Sequence, residues 1–174
     1  MTHLEEHSLP YMDKALPDAW KAATTFASAI SREAAQHGLS SAEGEIIKIR
    51  VSQLNGCVFC LDLHSRQARK LGVPQQKLDL LPAWRESTLF SDREAALLAV
   101  AETATTLPLS EDSKADLLAA RSALGQEAFV SAEWVAQVCL LKNHATQTMQ
   151  FCADAAVQIL GGMGFMQGTA AERI

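Results

Sequence analysis

The sequence predicts an all-α fold. Alanine is abundant, whereas aromatic residues make up only 6% of the chain and β-branched residues are sparse. No stretch alternates apolar and polar residues over the length of a strand. Helix-starting serines and helix-stopping glycines and prolines recur at intervals of one helix. Hydrophobic residues amount to 48% of 174, enough to bury a core in one compact domain.

Each element follows from that punctuation. Residues up to about Pro17 form an arm, with Pro10 and Pro17 in it and His3 and His7 without a specific role. A helix runs from about Asp18 to His37, where Gly38 stops it. A second runs from about Ser41 to Leu54, with Ile46, Ile47, Ile49, Val51 and Leu54 as its apolar side chains. Asn55-Gly56 breaks it, and a third helix runs from about Cys57 to Leu71, ended by Gly72-Val73-Pro74. A short helical turn and a loop around Pro82 follow. The next helix carries a capping box, Ser91 with Glu94 three residues on. Another is capped by Ser110 and stopped by Gly125, and a last long helix spans about Ser131 to Leu160. Cys139 and Cys152 are expected to pack in the core there, and His144 to be packed or solvated.

The bulk numbers exclude several partners. The formal net charge is −5 and no Lys/Arg block appears, which argues against nucleic acid. No apolar run approaches the ~20 residues of a membrane helix, and no basic start leads into an apolar segment, so neither membrane nor secretion is expected. The expected compartment is cytoplasmic. A CxxC there is more often catalytic or metal-binding than a structural staple.

The chemistry concentrates in "SQLNGCVFCLDLHSRQA". The break at Asn55-Gly56 puts Cys57 in the first turn of a new helix, where unpaired N–H groups and the helix dipole favour thiolate over thiol. Cys60 lies at i+3 and His64 at i+7, on the same face. Two cysteines so spaced can close into a disulfide. Cys-x2-Cys-x3-His also offers three zinc ligands, with no fourth evident and all three on one helix. The dipole favours Cys57 as nucleophile by ~0.3–1 kcal/mol; a positioned general base, worth ~10²–10⁴-fold in rate, favours Cys60 beside His64. Arg66 and Arg69 flank this helix as solvated or ion-paired side chains.

"EIIKIRVSQLNGCVFCLDLHSRQARKLG" resembles the core of the AhpD-like alkylhydroperoxidases of the carboxymuconolactone decarboxylase superfamily. The shared pattern is Glu45, eleven residues, Cys57-x-x-Cys60, three residues, His64. The likeness covers about residues 10–136 and includes "LFSDREAALLAVAE" and "LGQEAFVSAEWVA". It implies an AhpD-like helical domain with the CxxC at the N-terminus of a central helix. It also implies a thiol peroxidase: Cys60 attacks the peroxide, Cys57 resolves the sulfenic acid, and Glu45 with His64 relays the proton. The partners implied are a peroxide and an external dithiol or thiol-protein reductant, within a homo-oligomer; no cofactor and no metal are expected. Val58-Phe59 stands where well-studied members carry a second histidine, so the relay implied here is the shorter one. Decarboxylases of the superfamily typically lack the CxxC. A decarboxylase-type enzyme and a redox- or zinc-sensing module remain the alternatives.

From residue 137 the chain reads "QVCLLKNHATQTMQFCADAAVQILGGMGFMQGTAAERI". This resembles the C-terminal helices of acyl-CoA dehydrogenases, whose "QILGGMG" turn approaches the flavin of a neighbouring subunit. Two helices do not make a flavin site. The organisation expected is thus an AhpD-like CxxC domain over 1–136, with 137–174 as a helix and Gly-rich tail packed on the same domain.

Overall fold

The computed structural model describes Lys14, residues 17–106 and residues 109–160, with backbone only for Asn143 and 145–160. The expected N-terminal arm, the Cys152 side chain and the Gly-rich tail lie outside the described residues. Among the described residues the fold is all-α, as the sequence predicts. The helices are α1 Pro17–Gln36, α2 Ser41–Asn55, α3 Val58–Lys70, α4 Gln75–Asp79, a 3-10 turn Leu81–Glu86, α5 Asp92–Thr105, α6 Glu111–Leu124 and α7 Gln126–Leu160.

Side-chain caps set the starts. Ser40 and Ser91 each open a helix with a full capping box, to Glu43 and Glu94. Ser110 caps α6 through the Ser113 N–H. α7 begins at Gln126, about five residues before the expected start. Gly125, at φ +78°, ends α6 and accepts the first hydrogen bond of α7, from the Phe129 N–H at 3.1 Å. Nothing in Gln126–Val130 resists a helix, so α7 starts as soon as the turn allows. It then runs unbroken to Leu160.

Residues 26–143 form one compact unit, and residues 1–25 with 144–174 form another. Of the second, the described parts are the helical stretches 17–25 and 144–160. In the first unit α2 packs against α3 and α5, and α5 against α6. α2 is the hub because it is apolar on two sides. Ile47 and Val51 join a cluster with Leu97, Val100, Leu124, Ala132 and Val135. Ile46 and Ile49 join a second with Leu81, Trp84, Leu98 and Ala68. Ile47, Ile49 and Val51 are at most 1% exposed. Each such side chain contributes ~1.5–3 kcal/mol by burial, which locks the helix that carries Glu45. No helix among the described residues is long and apolar enough to cross a membrane.

Candidate functional site

A tight turn delivers the cysteines. Gly56 takes the left-handed conformation, φ +66°, and its N–H closes α2 on the Gln53 carbonyl. A side chain there would find open space, so the glycine answers to the backbone and not to crowding. Cys57 follows in an extended conformation, φ −81° and ψ 92°, and is the N-cap of α3 instead of lying in its first turn. Its Sγ accepts the Cys60 N–H at 3.4 Å, while its own N–H donates to the buried Ser52 carbonyl at 3.1 Å. The cap thereby aims one sulfur at the other.

The two thiols are unbonded, with Cys57 Sγ and Cys60 Sγ 2.6 Å apart. That is roughly half an ångström beyond a disulfide bond. Cys57 is half-buried and Cys60 is only 2% exposed. Burial, then the Cys57 hydrogen bond, pushes the Cys60 thiol up to about 12, and the nearby Lys142 charge works against that rise. At Cys60 the surroundings thus raise the thiol, whereas the helix start was expected to favour thiolate at Cys57. Desolvation of a buried anion outweighs a terminus worth ~1 kcal/mol.

Glu45 and His64 are both buried and joined. The His64 Nδ1–H donates to Glu45 Oε2 at 2.8 Å. Lys48, one turn along α2, donates to Glu45 Oε1 at 2.8 Å. Glu45 is therefore no solvated helix-start carboxylate. Burial pushes its carboxyl up, but His64 and Lys48 outweigh it and hold it below the usual range. Burial lowers the His64 imidazole, and Lys142 and Lys48 add to this against the pull of Glu45. A neutral imidazole is what a general base requires. Glu45 and Lys48 also border a cavity of about 110 Å³ lined by Ser31, Ser41 and Val135.

Of the four predicted residues, Cys57 meets Cys60 and Glu45 meets His64, and the Lys142 charge bears on both Cys60 and His64. Sequence reasoning missed three others. Lys48 was readable as an i+3 partner of Glu45. Cys139 is buried as expected, but it is also part of the site's surroundings: its thiol donates to the Lys48 carbonyl at 3.8 Å, and its nearness adds to the upward push on Cys60. Lys142 brings Nζ to 3.4 Å from His64 Nε2, across 78 residues of chain. No three His, Cys, Asp or Glu side chains among the described residues converge to hold a metal ion. Arg66 pairs with Asp62 at the surface.

Residues 17–103 match the carboxymuconolactone decarboxylase family, and residues 94–174 match the acyl-CoA dehydrogenase C-terminal domain. The second likeness begins within α5, well before residue 137. Apolar side chains in that stretch, including Leu97, Ala120, Leu124, Val135 and Cys139, are buried in the core described above. The uncharacterized protein YdfG of Bacillus subtilis is 44% identical over 73 residues, 42% of this chain and 50% of that protein. The uncharacterized protein YnjA of Escherichia coli is 34% identical over 67 residues, 38% of this chain and 37% of that protein. The chain therefore spans half or less of the curated relatives it matches. A solved protein of unknown function from Agrobacterium tumefaciens, for which an AhpD role in antioxidant defence has been suggested, superposes with a TM-score of 0.66. It is 27% identical, and the match covers 78% of this chain and 90% of that one.

Proposed function

The chain belongs to the carboxymuconolactone decarboxylase family, and from that premise we propose that it is a thiol-dependent peroxidase of the AhpD type. The observation that carries this reading is a pair of thiols 2.6 Å apart at one helix start, with a buried imidazole, already bonded to a carboxylate, on the same helix. His64 takes the proton of Cys60, and Glu45 steadies the imidazolium that forms. The Cys60 sulfur attacks a peroxide oxygen: the S–O bond forms, the O–O bond breaks, and the alkoxide leaves with the proton from His64 as an alcohol. Cys57 then attacks the Cys60 sulfenic acid, releasing water and forming the disulfide. An external dithiol or thiol protein, supplied in a reducing cytoplasm, restores both thiols.

Access supports the division of roles. Cys57 is the more open thiol, as reduction by an outside partner requires, and Cys60 is the sheltered one. Val58 and Phe59, its sequence neighbours, are 80% and 46% exposed and offer apolar surface to such a partner or to a second copy of the chain.

The test is organic-peroxide consumption with a dithiol donor. The parent protein is expected to turn over and Cys60→Ser to lose at least ~10²-fold, while Cys57→Ser traps a sulfenic acid on Cys60 under single turnover. A Cys60→Ser variant that forms sulfenic acid at the parent rate reverses the roles. A parent protein inert to peroxides, with muconolactone-type acids consumed instead, removes the reading altogether.

A further inference from the structure

Resting on the thiol-redox reading, we infer that Lys142 is a working member of the site: a cation that holds the His64 lone pair at rest and moves to the Cys60 sulfur when that sulfur loses its proton.

The geometry carries this. Lys142 Nζ lies 3.4 Å from His64 Nε2, and Nδ1 of the same ring faces Glu45 Oε2 at 2.8 Å. An ammonium has N–H donors and no lone pair. The nitrogen facing it is therefore the unprotonated one, and the ring hydrogen sits on Nδ1, donated to Glu45. Lys142 and Glu45 thus fix His64 from its two ends as a neutral base in a single tautomer.

The lone pair that Lys142 holds is the one the thiol proton needs. When the Cys60 S–H bond breaks and an N–H bond forms at Nε2, no electrons are transferred, but charge separates. The imidazolium repels the ammonium, and the thiolate, on the residue one helical turn away, attracts it. Cys60 is 2% exposed, so water does little to stabilise its anion. The Lys142 charge already acts on the Cys60 thiol against its upward shift, so the ammonium is within electrostatic reach of both groups. Among the described residues the groups around this centre include Glu45 and Lys48 from α2, Cys57, Cys60 and His64 from the start and body of α3, and Cys139 and Lys142 from α7. Lys48 is ion-paired with Glu45 at 2.8 Å, and among the described residues Lys142 is the cation that adjoins His64 Nε2. The residue comes from the acyl-CoA-dehydrogenase-like stretch, so this segment supplies part of the chemistry as well as a packing helix.

The experiment uses the full chain with Lys142→Met and Lys142→Gln, which remove the charge, and Lys142→Arg, which restores it. Two readouts need no peroxide: the pH dependence of Cys60 alkylation by iodoacetamide, read by mass spectrometry of the Cys57–Cys60 peptide, and the nuclear magnetic resonance titration of the His64 ring. Loss of the cation is expected to slow Cys60 alkylation about tenfold at neutral pH and to raise the His64 midpoint by about one pH unit. Arginine is expected to return both toward the parent values. Alkylation and titration curves of a folded Met or Gln variant that superimpose on the parent overturn the proposal. So does an Arg variant that behaves like Met. Peroxide consumption, run in parallel, separates this from the functional reading: an inert parent protein whose alkylation still depends on Lys142 loses the peroxidase reading and keeps the cation.

Discussion

Glu45 and Glu102 are both largely buried carboxylates bonded to basic groups around α2, yet they are built for opposite ends. Glu102, on α5, accepts from Arg50 at 2.6 and 2.8 Å, from the Trp84 indole N–H at 2.9 Å, and from Arg85. Arg85 lies over the Trp84 ring, 4.2 Å from its centroid, and reaches Asp116 as well. Burial raises the Glu102 carboxyl, and the three donors outweigh it. Guanidinium and indole groups do not give up protons near neutral pH, so this cluster acts as a clamp that fixes the turn after α4 onto α2 and α5. Glu45 is paired instead with an imidazole and an ammonium. A carboxylate on a titratable partner can take part in moving a proton; one saturated by arginines cannot. The identity of the donors, and not the burial of the acid, separates a site from a staple.

The same isosteric change at both acids gives the largest expected contrast. Glu45→Gln leaves His64 without its anionic support and is expected to slow Cys60 attack ~10²-fold or more, with a modest loss of stability. Glu102→Gln leaves two guanidiniums without their shared anion and is expected to cost about 3 kcal/mol of stability, while the attack rate per folded molecule stays within about twofold of the parent. Denaturant unfolding and single-turnover peroxide kinetics on both variants measure this. Equal losses of rate would erase the distinction between the two acids.

Only the Glu45 side of this contrast was legible, and the part that was not has a physical reason. Cys57, Cys60 and His64 fall at i, i+3 and i+7, so helical spacing alone puts them on one face, whereas Glu45, on the preceding helix, was legible only through the family resemblance. The serine caps and Gly125 carry their own local signal, which is why α2, α5 and α6 were readable to within a residue or so. Arg50 and Glu102 are 52 residues apart, and Lys142 and His64 are 78 apart. Only tertiary packing brings those pairs together, and no spacing rule reports it. The upward shift at Cys60 was unreadable for the same reason. A helix start is visible in sequence, whereas the elements that cover the sulfur are not.

The pH dependence sharpens the comparison with a smaller effect. The His64 imidazole is held below its usual 6.5, chiefly by burial and then by Lys142 and Lys48. As pH falls through 6.5 the unfolded chain takes up this proton first, so stability present above that value begins to drop there and keeps dropping until the folded ring is protonated. Glu45 and Glu102, both held below their usual 4.5, add losses only as pH falls below that value. Catalysis follows the folded ring, so the attack rate is expected to hold at pH 6.5 and to fall at a lower pH than the stability begins to. His64→Ala is expected to flatten the upper part of the stability curve and leave the lower part in place. Urea unfolding at half-unit steps between pH 4 and 8 measures both limbs. A parent curve with no slope between 6.5 and 4.5 would mean that His64 does not feel its burial.

The smallest expected effect tests whether an ion pair on α3 matters simply by being one. Asp62 and Arg66 pair on the same helix as His64, but their side chains are 58% and 59% exposed. Water already solvates both charges, and holding two long side chains in one geometry costs entropy, so the net stabilisation is at most ~0.5 kcal/mol. Asp62→Asn is therefore expected to change unfolding free energy by no more than that, with the remainder disappearing at ~1 M salt, where the screening length is ~3 Å. The attack rate should not move, because neither residue is among the groups facing the thiols. His64 and Glu45 make a hydrogen bond of similar length, yet their side chains are only 10% and 11% exposed. If Asp62→Asn slowed Cys60 as much as Glu45→Gln does, the charge of α3 as a whole would be tuning the sulfur, and the buried pair would lose its special standing.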